Sequence, residues 1–312
     1  MSTAFYSHPA CRGHDMGAGH PECPQRLDAI ADHLRATGLD LALDFHEAPP
    51  ATAEQIERAH STAYTTEICD LLQRLRDEGA TRALDPDTVA GPRTLAAALH
   101  AAGAAVAATD EVIAGRAGSA FCAVRPPGHH ATRDAAMGFC FFNNVAIAAR
   151  HALDVHGLQR VAIVDFDVHH GNGTEDIIAG DERVLMCSIF QHPLYPYSGA
   201  VPKGPNMVNL PLAPYTRGPA VREAVEAQWL PALEAFRPEM LFVSAGFDAH
   251  REDELGQLGL VEADYAWITQ RLVEVAERHA RGRIVSCLEG GYALGALARS
   301  VAAHLRVLAG LA

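Results

Sequence analysis

From about residue 119 onward, short apolar runs alternate with longer segments in which apolar residues recur at helical spacing. This alternation is typical of units in which a strand of a parallel sheet is followed by a helix that crosses back to the next strand. The predicted strands are Ser119–Val124, Val161–Val164, Val184–Ile189, Met240–Ala245 and Arg283–Leu288. The predicted helices in this part of the chain are Asn144–His156, Val221–Phe236, Val261–Ala280 and Leu294–Leu311. The sequence therefore predicts an α/β fold with a parallel sheet.

Three segments before residue 119 also have helical spacing. They are Pro24–Thr37, Ala53–Glu78 and Pro92–Ala114, and the last starts with a proline that suits a first helical turn. A chain of 312 residues is long enough for about two domains of ordinary size. Because no linker, repeat or low-complexity segment interrupts the series, we predict one domain over residues 1–312.

The charge balance narrows the classes of partner. The chain has 25 Lys and Arg against 38 Asp and Glu, a formal net charge of −13. A nucleic-acid partner is not expected, since binding to phosphates needs a basic surface, whereas cationic ligands remain open. The Ala-rich segment Thr94–Ala108 is interrupted by His100 and Gly103, and Met1–Met16 is too polar for a signal peptide. We therefore predict a cytoplasmic protein without a membrane segment. Seven cysteines occur singly, which predicts reduced thiols.

Polar residues follow four of the predicted strands at the point where each strand ends. The four segments are Arg125–His130, Asp165–Asn172, Gly246–His250 and Glu289–Tyr292. In open parallel sheets, ligands bind outside the carboxyl ends of the strands. Since these ends share one edge of the sheet, the four segments are predicted to form one site.

Two carboxylates and one imidazole of this set are candidate metal ligands. Asp167, His169 and Asp248 have the ligand types of a zinc site with an open coordination position, which is typical of catalytic zinc. The alternative is that such carboxylates cap helices or lie in solvated loops. That alternative explains Asp165 poorly, because it follows an apolar run directly, and a buried carboxylate without a partner is costly.

The other polar residues suit acid–base chemistry. His129 and His130 follow a stiff Pro-Pro-Gly segment, and imidazole titrates near neutral pH. Asp165 and Asn172 are candidates to orient the two rings by accepting their N–H groups. Tyr292 follows two glycines and is a candidate to donate a hydrogen bond to a developing oxyanion.

Six segments, taken together, carry a family resemblance. They are His20–Leu27, Arg125–Ala131, Gly138–Asn144, Asp165–Thr174, Ser244–Asp248 and Leu288–Tyr292. In this order they resemble the zinc-dependent histone deacetylase superfamily, specifically its class II-like bacterial branch, whose relatives include acetylpolyamine amidohydrolases and acetoin utilisation proteins. The resemblance implies the arginase/deacetylase fold, a central parallel sheet of eight strands flanked by helices, with a tunnel that leads to one zinc ion.

The resemblance also assigns roles. It implies that Asp167, His169 and Asp248 bind the zinc ion and that Tyr292 polarises the substrate carbonyl. For the two histidines it implies two dyads, whose members are His129 with Asp165 and His130 with Asn172. Asparagine in the second dyad is similar to class II members.

The resemblance further implies a structural potassium ion, a substrate tunnel and possible assembly. The potassium site is implied at Asp165, Asp167, His169, Ser188 and Ile189. The tunnel is implied to be lined by Gly138 and Phe139 on one side. An aromatic residue of the loop Gln191–Tyr197 is expected to line the other side, and we predict that this residue is Tyr195. A neighbouring subunit can shape the tunnel mouth in relatives, so a homo-oligomer is possible.

The resulting hypothesis is hydrolysis of an acetylated amine, either the acetyl-lysine of a protein or an acetylpolyamine, with release of acetate. Tyr292 and the zinc ion would polarise the amide carbonyl, and His130 with His129 would transfer the protons. One rival is a protein that binds acetylated amines without chemistry. A second is a ureohydrolase that uses two manganese ions on the same fold, and metal counting separates it from a one-zinc enzyme.

Overall fold

The computed structural model describes residues 2–311 and contains one parallel eight-stranded sheet flanked by helices. The strands are β1 (Thr3–Ser7), β2 (Leu43–Glu47), β5 (Ser119–Cys122), β6 (Val161–Asp165), β7 (Val184–Gln191), β8 (Met207–Leu212), β9 (Met240–Ala245) and β10 (Ile284–Leu288), while β3 (Arg82–Ala83) and β4 (Val89–Ala90) form a separate antiparallel pair. Their order in the large sheet is β2-β1-β5-β10-β9-β6-β7-β8. The predicted fold class, an α/β arginase/deacetylase fold, is confirmed.

Helices cover the sheet in two groups. They are α1 (Pro9–Gly13), α2 (Gln25–Thr37), α3 (Ala53–Ile56), α4 (Thr62–Glu78), α5 (Thr94–Ile113), α6 (Asn144–Asp154), α7 (Asn172–Ile178), α8 (Gly218–Ala224), α9 (Leu230–Phe236), α10 (Glu262–His279) and α11 (Leu294–Leu308). Helix α11 packs against α2 and α10, whereas α5 packs against α1 and α6. Every residue of β5, β6, β7, β9 and β10 is buried, as expected for strands covered on both faces.

All five predicted strands are confirmed to within two residues at each end, and three strands of the large sheet were missed, as was the short β3–β4 pair. The missed strands are β1, β2 and β8, which lie toward the two edges of the sheet. Strand β2 is largely exposed and polar, and β8 contains Asn209 and Pro211. Neither therefore has the continuous apolar run that identifies a buried parallel strand.

Three predicted helices begin or divide differently in the structure. The segment Ala53–Glu78 is two helices, α3 and α4, because Ser61 accepts a hydrogen bond from the Tyr64 N–H and starts α4 anew. Helix α5 starts at Thr94, so Pro92 precedes the helix and does not occupy its first turn. The segment predicted from Val221 starts at Gly218 and includes a π-helical turn, Val225–Trp229, between α8 and α9.

Helix α5 corrects one argument made from the sequence. Despite His100 and Gly103, this helix of 20 residues is long and apolar enough to cross a membrane by length and composition alone. In the fold, 61% of its most apolar window is buried inside the protein. Its apolar character is therefore accounted for by packing against α1, α6 and the sheet.

His304 of α11 lies entirely within the core and makes the fold sensitive to acid. Its two ring nitrogens contact the hydroxyls of Thr269, at 2.6 Å, and Ser286, at 2.9 Å. Burial lowers the pKa of His304 to about 3. Because an unfolded chain binds this proton at a higher pH, the stability that a neutral His304 supplies is present above pH ~6.5 and is lost progressively toward pH ~3.

We therefore expect a His304→Gln variant to depend less on pH than the wild type. Between pH 7 and pH 5 the free energy of unfolding of the wild type should fall by about 2 kcal/mol more than that of the variant, at about 1.4 kcal/mol for each pH unit below 6.5. Urea denaturation at the two pH values measures this difference. Parallel losses in the two proteins would show that His304 is not the source.

Candidate active site

The four polar segments predicted to meet do so at the carboxyl edge of the central strands. They follow β5, β6, β9 and β10, which are consecutive in the sheet order β5-β10-β9-β6. Strand β6 ends at Asp165 itself, so this carboxylate is the last residue of a fully buried strand. These strands are not consecutive along the chain, and they become neighbours only in the sheet.

Asp167, His169 and Asp248 lie together, with one ligand atom from each within 4.8 Å of the others. His169 Nδ1 is 3.1 Å from Asp167 Oδ1 and 3.2 Å from Asp248 Oδ2. Backbone N–H groups fix both carboxylates, since that of Val168 donates to Asp248 Oδ1 and that of His169 donates to Asp167 Oδ1. The predicted metal triad is therefore assembled and rigidly held.

The charges of this triad fit a bound cation. Asp248 Oδ2 is buried without a hydrogen-bond partner of good geometry, and burial together with the charge of Asp167 raises the pKa of Asp248 to about 7. Burial alone would lower the pKa of His169, but hydrogen bonds to Asp167 and Asp248 outweigh it and raise the pKa to about 10. The two carboxylates thus favour a positive charge at the point where they meet His169. One nitrogen and two carboxylate donors match the ligand chemistry of zinc with an open position.

Gly290 is required by the close packing of the two carboxylates. A Cβ atom at this position would lie 2.0 Å from Asp248 Oδ2 and 2.7 Å from Asp167 Oδ2. The Gly290 N–H also donates to Asp167 Oδ2 at 2.8 Å. A side chain here would force both carboxylates to move.

We expect Gly290→Ala to lower metal content and to reduce kcat/KM by about 100-fold, since a displacement of about 1 Å in a catalytic site has effects of this size. Atomic emission and a steady-state assay on the same preparation measure both. The matched control is Gly295→Ala in α11, where the nearest atom to a new Cβ is the flexible end of Arg299, at 3.3 Å. Equal activity of the two variants would contradict this account of Gly290.

The two histidines are held by different partners. His129 Nδ1 lies 3.0 Å from Asp165 Oδ2, and His130 Nδ1 lies 2.7 Å from Asn172 Oδ1. Their ring centroids are 4.1 Å apart. Because an amide oxygen only accepts hydrogen bonds, His130 Nδ1 carries a proton and its Nε2 is left with a lone pair.

Electrostatics separates the protonation states of the pair. Burial opposes a charge on His129, but Asp167 and Asp165 outweigh burial and raise the pKa of His129 well above its usual value. The pKa of His130 is lowered well below its usual value by burial and by the positive charges of His129 and His169. Neutral Asn172 does not offset that effect as a carboxylate would. The dyads predicted from the sequence are thus formed, one with a charged partner and one with a neutral partner.

Glu289 is a buried carboxylate whose role the sequence did not reveal. Its Oε2 accepts hydrogen bonds from the backbone N–H groups of Gly128, at 2.6 Å, and His129, at 3.1 Å. Its Oε1 accepts from the Ser244 hydroxyl at 3.1 Å. Burial raises the pKa of Glu289 to about 7. This residue therefore ties the segment that carries the histidines to the segment that carries Tyr292.

Arg26 holds the segment that carries Tyr292 through hydrogen bonds to its backbone. The guanidinium of Arg26 donates to the carbonyl oxygen of Gly291 at 2.7 Å and to that of Glu289, and its Cζ lies 5.0 Å from the centroid of the Tyr292 ring. Glu22 pairs with Arg26 at 3.0 Å and also with Arg125, so one buried carboxylate serves both guanidinium groups. Burial and the charge of Asp248 raise the pKa of Tyr292 well above its usual value, so its hydroxyl keeps its proton.

Asp253 holds the same segment from the other side. It is 6% exposed, and its Oδ2 accepts hydrogen bonds from the N–H groups of Tyr292, at 2.6 Å, and Ala293, at 2.9 Å. Its Oδ1 accepts from the Leu255 N–H at 3.1 Å. Asp253 is thus a positioning residue that joins two loops of the site. It could not be identified from the sequence, because its partners are backbone groups 39 and 40 residues away.

We expect Asp253→Ala to lower kcat by about 10- to 100-fold with a smaller change in KM, because the Tyr292 hydroxyl would lose its fixed position. In a Tyr292→Phe background, the same substitution should cause little further loss of kcat. Glu254→Ala, at the exposed neighbouring position, is the control. Additive losses in the double variant would show that Asp253 acts on activity by another route.

The potassium ligands predicted from the resemblance lie beside the triad. Ser188 is paired with Asp165 in the register of β6 and β7, and both residues are fully buried. Among the described residues, Ser188 Oγ has no hydrogen-bond partner. An unpartnered buried oxygen next to a carboxylate fits a site for a cation with oxygen ligands.

A cavity of about 220 Å³ leads to the triad and the histidines. It is lined by Asp87, His130, Gly138, Phe139, His169, Leu194, Tyr195, Leu255 and Tyr292. The predicted lining residues Gly138, Phe139 and Tyr195 are therefore found at the cavity, while Asp87 and Leu255 were missed because they come from distant loops. Gly138 has a φ of 56°, and a Cβ there would lie 2.5 Å from the His130 ring.

A larger cavity of about 520 Å³ lies elsewhere, near Arg12 and Arg93, and none of the predicted site residues lines it.

A parallel eight-stranded sheet with carboxylates, imidazoles and a tyrosine at its carboxyl edge defines the arginase/deacetylase class. The histone deacetylase domain matches residues 20–308, and the chain belongs to this family. It is 38% identical to a histone deacetylase-like amidohydrolase of Pseudomonas aeruginosa, over 93% of this chain and 81% of that protein. It is 40% identical to a polyamine deacetylase of Mus musculus, over 93% of this chain and 45% of that protein. Among solved structures, the HDA15 HD domain superposes with a TM-score of 0.92 at 33% identity, covering 99% of this chain and 90% of that one.

Proposed function

We propose that the protein is a zinc-dependent amidohydrolase that removes acetyl groups from acetylated amines and releases acetate. The observation that carries this proposal is the convergence of three kinds of group in one narrow cavity. These are the Asp167, His169 and Asp248 triad, the free Nε2 of His130 and the protonated hydroxyl of Tyr292. An ion held by the triad would supply a Lewis acid that polarises a carbonyl and makes water a better nucleophile.

The residues of the chain divide the remaining work. His130 Nε2 is placed to take a proton from water and to return one to the departing amine, while Asn172 holds the ring by its other nitrogen. His129, charged through Asp165 and Asp167, stabilises negative charge that develops nearby. Tyr292 donates a hydrogen bond to the oxygen of the tetrahedral intermediate. We assign a potassium ion, bound by Asp165, Asp167, His169, Ser188 and Ile189, to the support of this site.

The cavity walls favour an acylated aliphatic amine. Phe139, Tyr195 and Leu255 provide an apolar lining that suits a methylene chain. Asp87 adds a carboxyl group to the same cavity, which would attract a second positive charge on the substrate. An acetylpolyamine or an acetyl-lysine in a basic peptide fits this description, and the similarity to a polyamine deacetylase of Mus musculus supports the first.

The experiment that tests the proposal compares kcat/KM for N8-acetylspermidine, N-acetylputrescine and an acetyl-lysine peptide with the zinc-loaded protein. Acetate release from at least one of them supports the deacetylase assignment. Asp87→Asn should lower kcat/KM more for the charged polyamine than for a neutral acetyl-lysine amide. Binding without turnover in zinc-replete protein would instead support the non-enzymatic rival, and activity only with two manganese ions per chain would support the ureohydrolase rival.

The cysteines support a location for this activity. All seven are free, and five of them are buried. Unpaired thiols in this number suit a reducing compartment. We therefore assign the protein to the cytoplasm, which fractionation of the source cells with an antibody would test.

A further inference from the structure

A second group of metal-binding side chains lies away from the active site, where α5 and α6 end. It consists of Asp110, in the last turn of α5, His151, in the last turn of α6, and His156, in the turn that follows α6. Helix α6 begins beside the active site, at Asn143 and Asn144, and runs away from it toward the start of β6. This cluster therefore lies at the opposite end of α6 from the zinc triad.

Both imidazoles are directed at the same carboxylate oxygen. His151 Nε2 lies 2.8 Å and His156 Nε2 lies 2.6 Å from Asp110 Oδ1. One ligand atom from each of the three residues falls within 4.8 Å of the others. One carboxylate oxygen facing two ring nitrogens supplies an anionic donor and two nitrogen donors to one point, and imidazole binds metals in its neutral form.

The surroundings favour a cation at this point. Asp110 and His151 both lie in the last turns of their helices, where the helix dipoles place partial negative charge. The side chain of Asp110 is 44% exposed and that of His156 is 26% exposed, so an ion can reach the cluster from solvent. The side chain of His151 is only 6% exposed, which fixes one ligand against the core.

We propose that Asp110, His151 and His156 form a second zinc site, independent of the catalytic one, that ties the end of α5 to the end of α6. Two imidazole nitrogens and one carboxylate oxygen are ligands that zinc accepts, and water would complete a tetrahedral set. Donors bound tetrahedrally at about 2.0 Å lie about 3.3 Å apart, so the nitrogen–oxygen distances of 2.8 and 2.6 Å must widen by about 0.5 and 0.7 Å to admit the ion. Two of the ligands come from α6 and its following turn and one from α5, so the ion would cross-link adjacent helices.

The test is to count zinc in the full-length protein as the free zinc concentration is raised, by equilibrium dialysis and atomic emission. Wild-type protein should reach two zinc ions per chain, and its thermal midpoint should rise as the second ion binds. His156→Ala, which changes only a partly exposed turn residue, should reach one zinc ion per chain, keep full deacetylase activity and lose the rise in midpoint. His46→Ala removes a histidine that faces a single carboxylate, Asp44, at 3.1 Å, and should still reach two.

The results that overturn the proposal are distinct from failure of the catalytic assignment. One zinc ion per chain in both wild type and His156→Ala, lost in Asp248→Ala, would show that the second site does not exist. Retention of two ions in His156→Ala would place the second ion elsewhere. If the wild type bound one ion that is lost in His156→Ala but kept in Asp248→Ala, this site would stand and the zinc triad would not.

Discussion

Replacement of Tyr292 by phenylalanine is expected to lower kcat by about 10²- to 10³-fold, the usual effect of removing one donor from an oxyanion site. The substitution removes a single hydroxyl and keeps the ring, which lies 5.0 Å from the Arg26 guanidinium and 6.0 Å from the Phe139 ring. Substrate binding in the ground state should change little, so KM should stay within a few-fold of the wild-type value. Steady-state kinetics on an acetylated amine measures both.

The control for this prediction is Tyr195→Phe. Tyr195 lines the same cavity, and its ring packs edge-on against that of His130, at 5.2 Å between centroids. Loss of its hydroxyl should leave kcat nearly unchanged, because no catalytic role is assigned to it. If Tyr292→Phe retained wild-type kcat, or if the two variants were equally impaired, Tyr292 would not be the oxyanion donor.

Replacement of Asp248 by alanine is expected to abolish measurable zinc binding at the active site and to lower kcat/KM by at least about 10³-fold. Within residues 2–311, Asp248 Oδ2 is the one carboxylate oxygen of the triad that is buried with no hydrogen bond of good geometry, which fits a bound cation. Zinc that binds the triad should raise the thermal midpoint of the wild type. The variant should lack this part of the rise.

Because the fold can hold zinc at another site, the Asp248 experiment needs a matched background. We expect His156→Ala with Asp248→Ala to bind no zinc, and His156→Ala alone to bind one ion and remain active. Metal analysis and acetate release on the same samples decide the matter. Wild-type turnover by Asp248→Ala at trace zinc would contradict the assignment of the triad.

The central sheet and the candidate site could be predicted because both leave local marks in the sequence. The strands that carry the site are buried on both faces, so each is a continuous apolar run, and the polar residues follow directly, as Asp165 follows β6. Each family motif is also a short continuous segment, so residues such as His129 and His130 could be recognised from the sequence. The dyad partners Asp165 and Asn172 lie where those motifs imply.

The parts that could not be predicted depend on contacts between distant segments. Strand β2 lies at the edge of the sheet and is largely exposed, so it needs no continuous apolar run and has none that could identify it. Asp253 and Glu289 act through backbone N–H groups of other loops, which no side-chain motif records. Asp87 lies in the loop of the short β3–β4 hairpin. The Phe139 N–H donates to the Thr88 side chain of this hairpin, and this contact brings Asp87 to the cavity.

The most direct measurement is acetate release by one preparation of the wild type before and after removal of its metal. We expect the metal-free protein to be inactive on acetylated amines, and we expect zinc restored to the active-site triad to return full turnover, with the second ion adding nothing to kcat. Undiminished acetate release by the metal-free protein, or activity that returns only with two manganese ions per chain, would contradict it.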